Sequence, residues 1–198
     1  MNCQAAKAKL LTNFIKRDWR QDGWTIEDLT LSCPPFMLRA LELADLHKFS
    51  EMYRDERIQQ FIAPTLHLAA AERRFSLMCS ANSQAKADKY YLAIADELGN
   101  ALGMFAVFNF DPAQATAEIG LMLAKNAQGR GIARHALVAM LRHLQQCFQL
   151  TSIYSRIHPQ NLATIKLAHQ CQMRLVAQDE QLLTYILDEP LAHWSMVK

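Results

Sequence analysis

Residues 116–148 constrain this chain more than any other stretch. A run with strand-like composition, 116–124, passes through Lys125-Asn126-Ala127-Gln128-Gly129-Arg130-Gly131 into a long helical pattern over 131–148. In that pattern Ala133, Ala136, Leu137, Met140, Leu144 and Cys147 recur at helical intervals. The first turn of a helix leaves backbone N–H groups without intrahelical acceptors, and the helix dipole adds partial positive charge there. Gly129 and Gly131 carry no side chains, so an anion can approach that backbone closely, and the spacing predicts a phosphate site.

The remaining pattern wraps this unit in a mixed sheet. A short strand over 36–41 precedes helical patterns over 42–54 and around Ile58, Phe61 and Ile62, the latter ended by Pro64. Thr65 is placed to cap a third helix, with Leu68, Ala71, Phe75 and Met78 turned inward. The period then changes to strands over 90–95, 101–110 and 116–124, joined by a Gly99-Asn100 turn and the Asp111-Pro112 break. After the long helix come a strand over 152–157, a helix over 161–171, and strands over 173–177 and 181–187. The expected fold is α/β (α+β): one domain, 36–198, with a mixed, mostly antiparallel sheet of about seven strands and helices on both faces. Residues 1–35 form an N-terminal helical extension ahead of Pro34-Pro35. Within it, 5–20 reads as an amphipathic basic helix, turn-rich over 21–35. That helix packs on its own domain or on a second subunit, as in a homodimer, or else touches ribosomal RNA or anionic lipid.

Composition removes several classes. A net charge of +2 gives no argument for nucleic acid or membrane. Five cysteines, an odd number without a CxxC pair, fit reduced thiols in a cytoplasmic protein better than a disulfide framework, and no Cys/His spacing predicts a metal. No apolar run reaches the roughly 20 residues a bilayer needs, and the N-terminus lacks a signal-peptide pattern.

Spacing within the loop separates three kinds of phosphate-binding enzyme. A Walker loop ends in Gly-Lys-Ser/Thr, whereas Gly131 is followed by Ile132 and Ala133. A dinucleotide fingerprint needs a third glycine, but position 134 is arginine, and no acidic residue stands about 20 positions on. Gln128-x-x-Gly131-x-Ala133 instead resembles the Q/R-x-x-G-x-G/A loop of the GNAT superfamily of N-acetyltransferases. Glu118-Ile119-Gly120 and His158-Pro159-Gln160-Asn161-Leu162-Ala163-Thr164 resemble its ribosomal-protein N-terminal acetyltransferase (RimJ/RimL-like) branch.

That resemblance implies acetyl-CoA as co-substrate and no metal. Its pantetheine arm would pair with the strand at Leu121, Met122 and Leu123, opened by a bulge or splay near Gly120. Its pyrophosphate would lie on Gln128, Gly129, Arg130, Gly131, Ile132, Ala133 and Arg134. Asn161 would contact the cofactor arm, and asparagine is also a good helix N-cap. The N–H near Leu123 would face the oxyanion. Glu118 is the candidate base, directly or through a water, its alternative being a carboxylate paired with a neighbouring element. Thr164 is the candidate acid for the leaving thiolate, its alternative being a bond back to the preceding helical turn. The tyrosine that many members carry four residues later is Ala168 here. Gln172 and Met173 replace the usual Gly-Phe at the end of that helix; either glutamine takes the left-handed cap at a cost of about 1 kcal/mol, or the helix ends differently.

The resemblance also implies that the acceptor comes from the opposite side of the sheet, between walls at 55–64 and 178–184, with Arg57, Gln59, Gln60, Asp179 and Glu180 as polar candidates. Carboxylates there attract an amine, and the branch resemblance makes a protein N-terminal α-amino group the first expectation. A small amine, or an acyl-CoA-binding module of weak activity, are the alternatives.

Overall fold

The computed structural model describes residues 23–111 and 114–191. The helical reading of 5–20 lies outside them. In chain order the elements are α1 (Ile26–Leu29), β1 (Leu31–Cys33), β2 (Phe36–Ala40), α2 (Leu46–Arg54), α3 (Glu56–Gln59), α4 (Leu68–Asn82), β3 (Lys89–Asp96), β4 (Ala101–Asp111), β5 (Thr116–Leu123), α5 (Ile132–Cys147), β6 (Ser152–Ile157), α6 (Leu162–Gln170), β7 (Arg174–Gln178) and β8 (Leu183–Leu187). They form one 8-stranded sheet in the order β1-β2-β3-β4-β5-β6-β8-β7. Every pairing is antiparallel except β5 with β6. Among the described residues no helix is long and apolar enough to cross a membrane.

Each face of the sheet has its own helical layer, because successive strand side chains alternate sides. On one face Leu38, Leu92, Phe105, Val107 and Ile119 pack against Ala136, Leu137, Met140, Leu141 and Leu144 of α5. Those α5 positions lie on one stripe, which explains why so apolar a segment folds as a helix laid on the sheet. Truncating a wholly buried member such as Leu141 to alanine costs about 2–5 kcal/mol. On the other face Phe49, Met52, Phe75 and Met78 of α2 and α4 cover Met104 and Met122.

Several local expectations shift. Residues 26–33, read as turn-rich, form α1 and β1, and β1 pairs with β2 as Leu31↔Leu38 and Cys33↔Phe36 around the cis Pro34-Pro35 bond. A three-residue strand is too short to show alternation. It is held by what lies beside it: Trp24 is buried against Tyr90, Phe110 and Phe148. Residues 43–45 form a 3₁₀ turn rather than the first turn of α2, which swings Leu43 out to 81% exposure. His67, not Thr65, caps α4 through its ring nitrogen, and Leu68 is consequently exposed. Of the two endings left open for α6, the left-handed cap is the one it takes. Gln172 takes φ 61°, while its N–H donates to the His169 carbonyl and that of Met173 to the Ala168 carbonyl. This is the paired closure of a left-handed cap, built with glutamine where glycine would be unstrained.

Candidate active site

The parallel pair β5–β6 opens soon after it begins. Thr116, Ala117 and Glu118 pair with Ser152, Ile153 and Tyr154, and the register goes no further. From Gly120 to Leu123 the strand keeps β4 on one side, and its other edge is released. This is the splay expected near Gly120. Its floor is a small cavity of about 30 Å³. Gly120 and Leu121 of β5, Ser155 and Ile157 of β6, and Thr164 of α6 line it. Leu121 and Thr164, far apart in sequence, therefore share one cleft. The Leu123 carbonyl accepts the Gln128 Nε2 at 3.1 Å, which ties the loop to the end of the strand.

Beyond that tie the chain turns on two glycines at positive φ, Gly129 at 72° and Gly131 at 76°. Gly131 is the N-cap of α5 and makes no side-chain cap, and the first helical bond is from His135 N–H to the Gly131 carbonyl. Among the described residues, no acceptor meets a backbone N–H between Gly129 and Ala133. A Cβ placed on either glycine would meet nothing within 4 Å, so the space in front of these donors is open. Ile132 is buried and anchors the turn, whereas Arg130 and Arg134 are exposed beside it. Unpaired donors, an aligned dipole and open space together fit a diphosphate.

Asn161 caps α6, its Oδ1 accepting the Thr164 N–H at 3.1 Å. No hydrogen bond of the Thr164 hydroxyl to the preceding turn forms among the described residues. Burial pushes the Cys171 thiol up to about 11, and the same cause raises Cys33, Cys79 and Cys147.

Glu118 is 4% exposed and heavily engaged. Arg156 grips it with Nε on Oε1 and Nη2 on Oε2, both at 2.9 Å. Asn109 Nδ2 donates to Oε2 at 2.6 Å. Asn109 stands at φ 51°, where the β4–β5 register slips, a conformation asparagine tolerates. The hydrogen bonds to Glu118, with its negative charge beside the guanidinium, raise the Arg156 pKa. This geometry supports the paired-carboxylate alternative for Glu118 and takes up most of its lone-pair capacity.

On the opposite face from α5 lies a cavity of about 720 Å³. Its walls are the two segments expected from sequence. One side carries Glu56, Gln59, Gln60 and Phe61, and the other carries Glu180 and Leu182. Of the five polar candidates, Gln59, Gln60 and Glu180 line it. Arg57 and Asp179 do not, and the Asp179 carboxylate instead caps its own turn by accepting the N–H groups of Gln181 and Leu182. Glu56 and Phe61, within the 55–64 wall, and His158 line it as well. His158 follows β6, stacks on Phe61 with centroids 5.3 Å apart, and its Nδ1 accepts the Gln160 N–H at 3.2 Å. Only the folded chain brings Phe61 and His158 together.

A sheet opened beside a glycine-turned helix start, with an acidic groove on its far face, defines a class. It is a transferase fold with room for a phosphate-bearing acyl donor on one side and a second ligand on the other. Residues 36–174 match the acetyltransferase (GNAT) domain family, and the chain belongs to that family. It is an acetyl-CoA-dependent N-acetyltransferase. The chain is 24% identical over 140 residues to the uncharacterized N-acetyltransferase p20 of Bacillus licheniformis, across 70% of this chain and 78% of that one. Its fold is similar to RimL, a ribosomal L7/L12 alpha-N-protein acetyltransferase solved with coenzyme A, at TM-score 0.70 and 15% identity over 80% of this chain and 97% of that one. It is also similar to spermidine N-acetyltransferase from Vibrio cholerae, solved with CoA and spermine, at TM-score 0.64 and 18% identity, covering 77% and 93%.

Proposed function

We propose that this N-acetyltransferase acts on the α-amino group of a protein N-terminus. The observation that carries the reading is that the two candidate bases, Glu118 and His158, already hold donors. Both oxygens of Glu118 are held by Arg156 and Asn109, and Nδ1 of His158 already takes a backbone N–H. An acceptor must reach the thioester as a neutral amine. An α-amine has a pKa near 7.7–8.0 and a lysine-type amine about 10.4, so the α-amine is roughly 300-fold richer in the neutral form at pH 7. A site with a weak base turns over the acceptor that least needs one. Glu56 and Glu180, the carboxylates lining the groove, gather the ammonium form near its mouth.

The roles of the site residues follow from position. The glycine-turned loop fits acetyl-CoA: Gln128, Gly129, Arg130, Gly131, Ile132, Ala133 and Arg134 would hold the diphosphate, and the free edge at Leu121, Met122 and Leu123 would pair with the pantetheine amides. When bound, acetyl-CoA supplies an activated carbonyl and a thiolate leaving group. Glu118 keeps one of about four lone-pair sites for a water, through which it relays the amine proton. The half-buried hydroxyl of Thr164 donates toward the thiolate position, and Asn161 holds that turn of α6 in place.

The test is CoA-thiol release with a panel of peptides bearing free N-termini, N-acetylated lysine peptides as controls, and spermidine. Turnover of free N-terminal peptides with kcat/KM well above that for spermidine is expected. The reverse order assigns a small polyamine instead.

A further inference from the structure

Gln59, the last residue of α3, lines the acceptor groove yet is only 2% exposed. Its Nε2 donates to the Met52 carbonyl at 3.0 Å and lies 3.7 Å from the Met122 sulfur on β5. The Met52 contact decides which way the amide faces, because a flipped amide would set two acceptor oxygens against each other. Oε1 is thereby committed to the other edge of the plane. It is buried there, and among the described residues it has no hydrogen-bond partner. A buried acceptor without a donor is unfavourable in the free protein. Gln59 as a residue lines the groove and reaches Met122 of β5, the strand whose other edge is released beside Gly120.

We propose that Oε1 of Gln59 accepts one N–H of the incoming amine and thereby makes the enzyme select primary over secondary amines. The inference rests on the reading of this groove as the acceptor site. In the transfer the amine nitrogen forms a bond to the acetyl carbon, the carbon–sulfur bond breaks, and one amine proton ends on the CoA sulfur. A primary amine keeps its second N–H throughout and carries it into the product amide. A secondary amine surrenders its only N–H and leaves Oε1 unpaired again. A neutral carboxamide suits this task better than a carboxylate. It orients the nitrogen without stabilising the unreactive ammonium form.

The experiment compares a glycyl tripeptide amide with its N-methylglycyl counterpart in the native enzyme, in Gln59→Met and in Gln59→Leu. The native preference for the glycyl peptide should shrink about tenfold in both variants, the worth of one hydrogen bond between neutral groups. KM for acetyl-CoA should stay unchanged. A second measurement needs no variant: N-acetylglycyl peptide should inhibit the native enzyme about tenfold better than N-acetyl-N-methylglycyl peptide, which has lost that N–H. Equal selectivity in all three proteins, or equal inhibition by the two products, overturns the proposal. A loss that appears equally in the KM for acetyl-CoA also overturns it, since Gln59 would then only support β5. If spermidine is the better substrate, the N-terminal reading fails while the same comparison, run with spermidine and its terminal N-methyl derivative, still judges Gln59. If the native enzyme acetylates none of these amines, both fall.

Discussion

Replacing Gly131 separates what the loop does for the fold from what it does for the ligand. The residue sits at φ 76°, and a Cβ there would meet nothing within 4 Å. Asparagine and aspartate are the L-residues that best tolerate this conformation, so Gly131→Asn and Gly131→Asp should each cost about 1 kcal/mol or less. For a domain of this size that lowers the melting temperature by roughly 2–4 °C. The two side chains are nearly the same size, and both reach the same unpaired N–H groups. Their difference is one negative charge facing a diphosphate. At about 5 Å and an effective dielectric near 20 that repulsion is roughly 3 kcal/mol per unit charge. The loop is exposed, and salt screening at physiological strength reduces the figure to about 1–2 kcal/mol. Calorimetric titration with CoA should therefore show Gly131→Asp binding about tenfold more weakly than Gly131→Asn, with the gap shrinking as salt rises. Equal affinity in the two variants at low salt, or native affinity in both, would refute a diphosphate at this turn.

Glu118→Gln is expected to lower turnover more than it weakens acetyl-CoA binding, and native turnover in that variant removes Glu118 from the mechanism. Arg156→Ala leaves a buried carboxylate with Asn109 alone. Because Arg156 is 48% exposed, the loss should fall below that of a fully buried pair, at about 1–3 kcal/mol by urea unfolding, and a change under about 0.5 kcal/mol contradicts the pairing. Gln172→Gly relieves the φ 61° strain and should raise stability by about 1 kcal/mol, read as a melting temperature higher by roughly 2–4 °C. An unchanged or lower value would refute the strain. His143 Nε2 meets the Asp28 carbonyl at 2.7 Å, and burial lowers its pKa. A depressed folded-state pKa means the stability is present above the ordinary histidine value of about 6.5 and is lost as pH falls below it. His143→Gln should flatten that acid limb in unfolding measured from pH 7 to 5, and an unaltered limb would assign it to other groups.

The sequence by itself determined the local chemistry. The long stripe of α5 and the glycine-bearing helix start depend on neighbours within one or two turns, so periodicity and backbone preference sufficed to read them, whereas the cap at Gln172 was legible only through the family resemblance. Even the two segments that wall the cavity on the far face could be named, through the family resemblance. What stayed hidden depends on contacts between distant segments. Trp24 and β1 are held by side chains from β3, β4 and the end of α5, and nothing local marks a three-residue strand. Tertiary structure alone decided that Glu118 meets Arg156, that His158 lies on Phe61, and that Gln59 spans from Met52 to Met122 with one oxygen unsatisfied. The physical reason lies in the sheet order. A strand's period tells which face a residue takes, but the partner across that face is chosen by how β5 and β6 pair for three residues and then part.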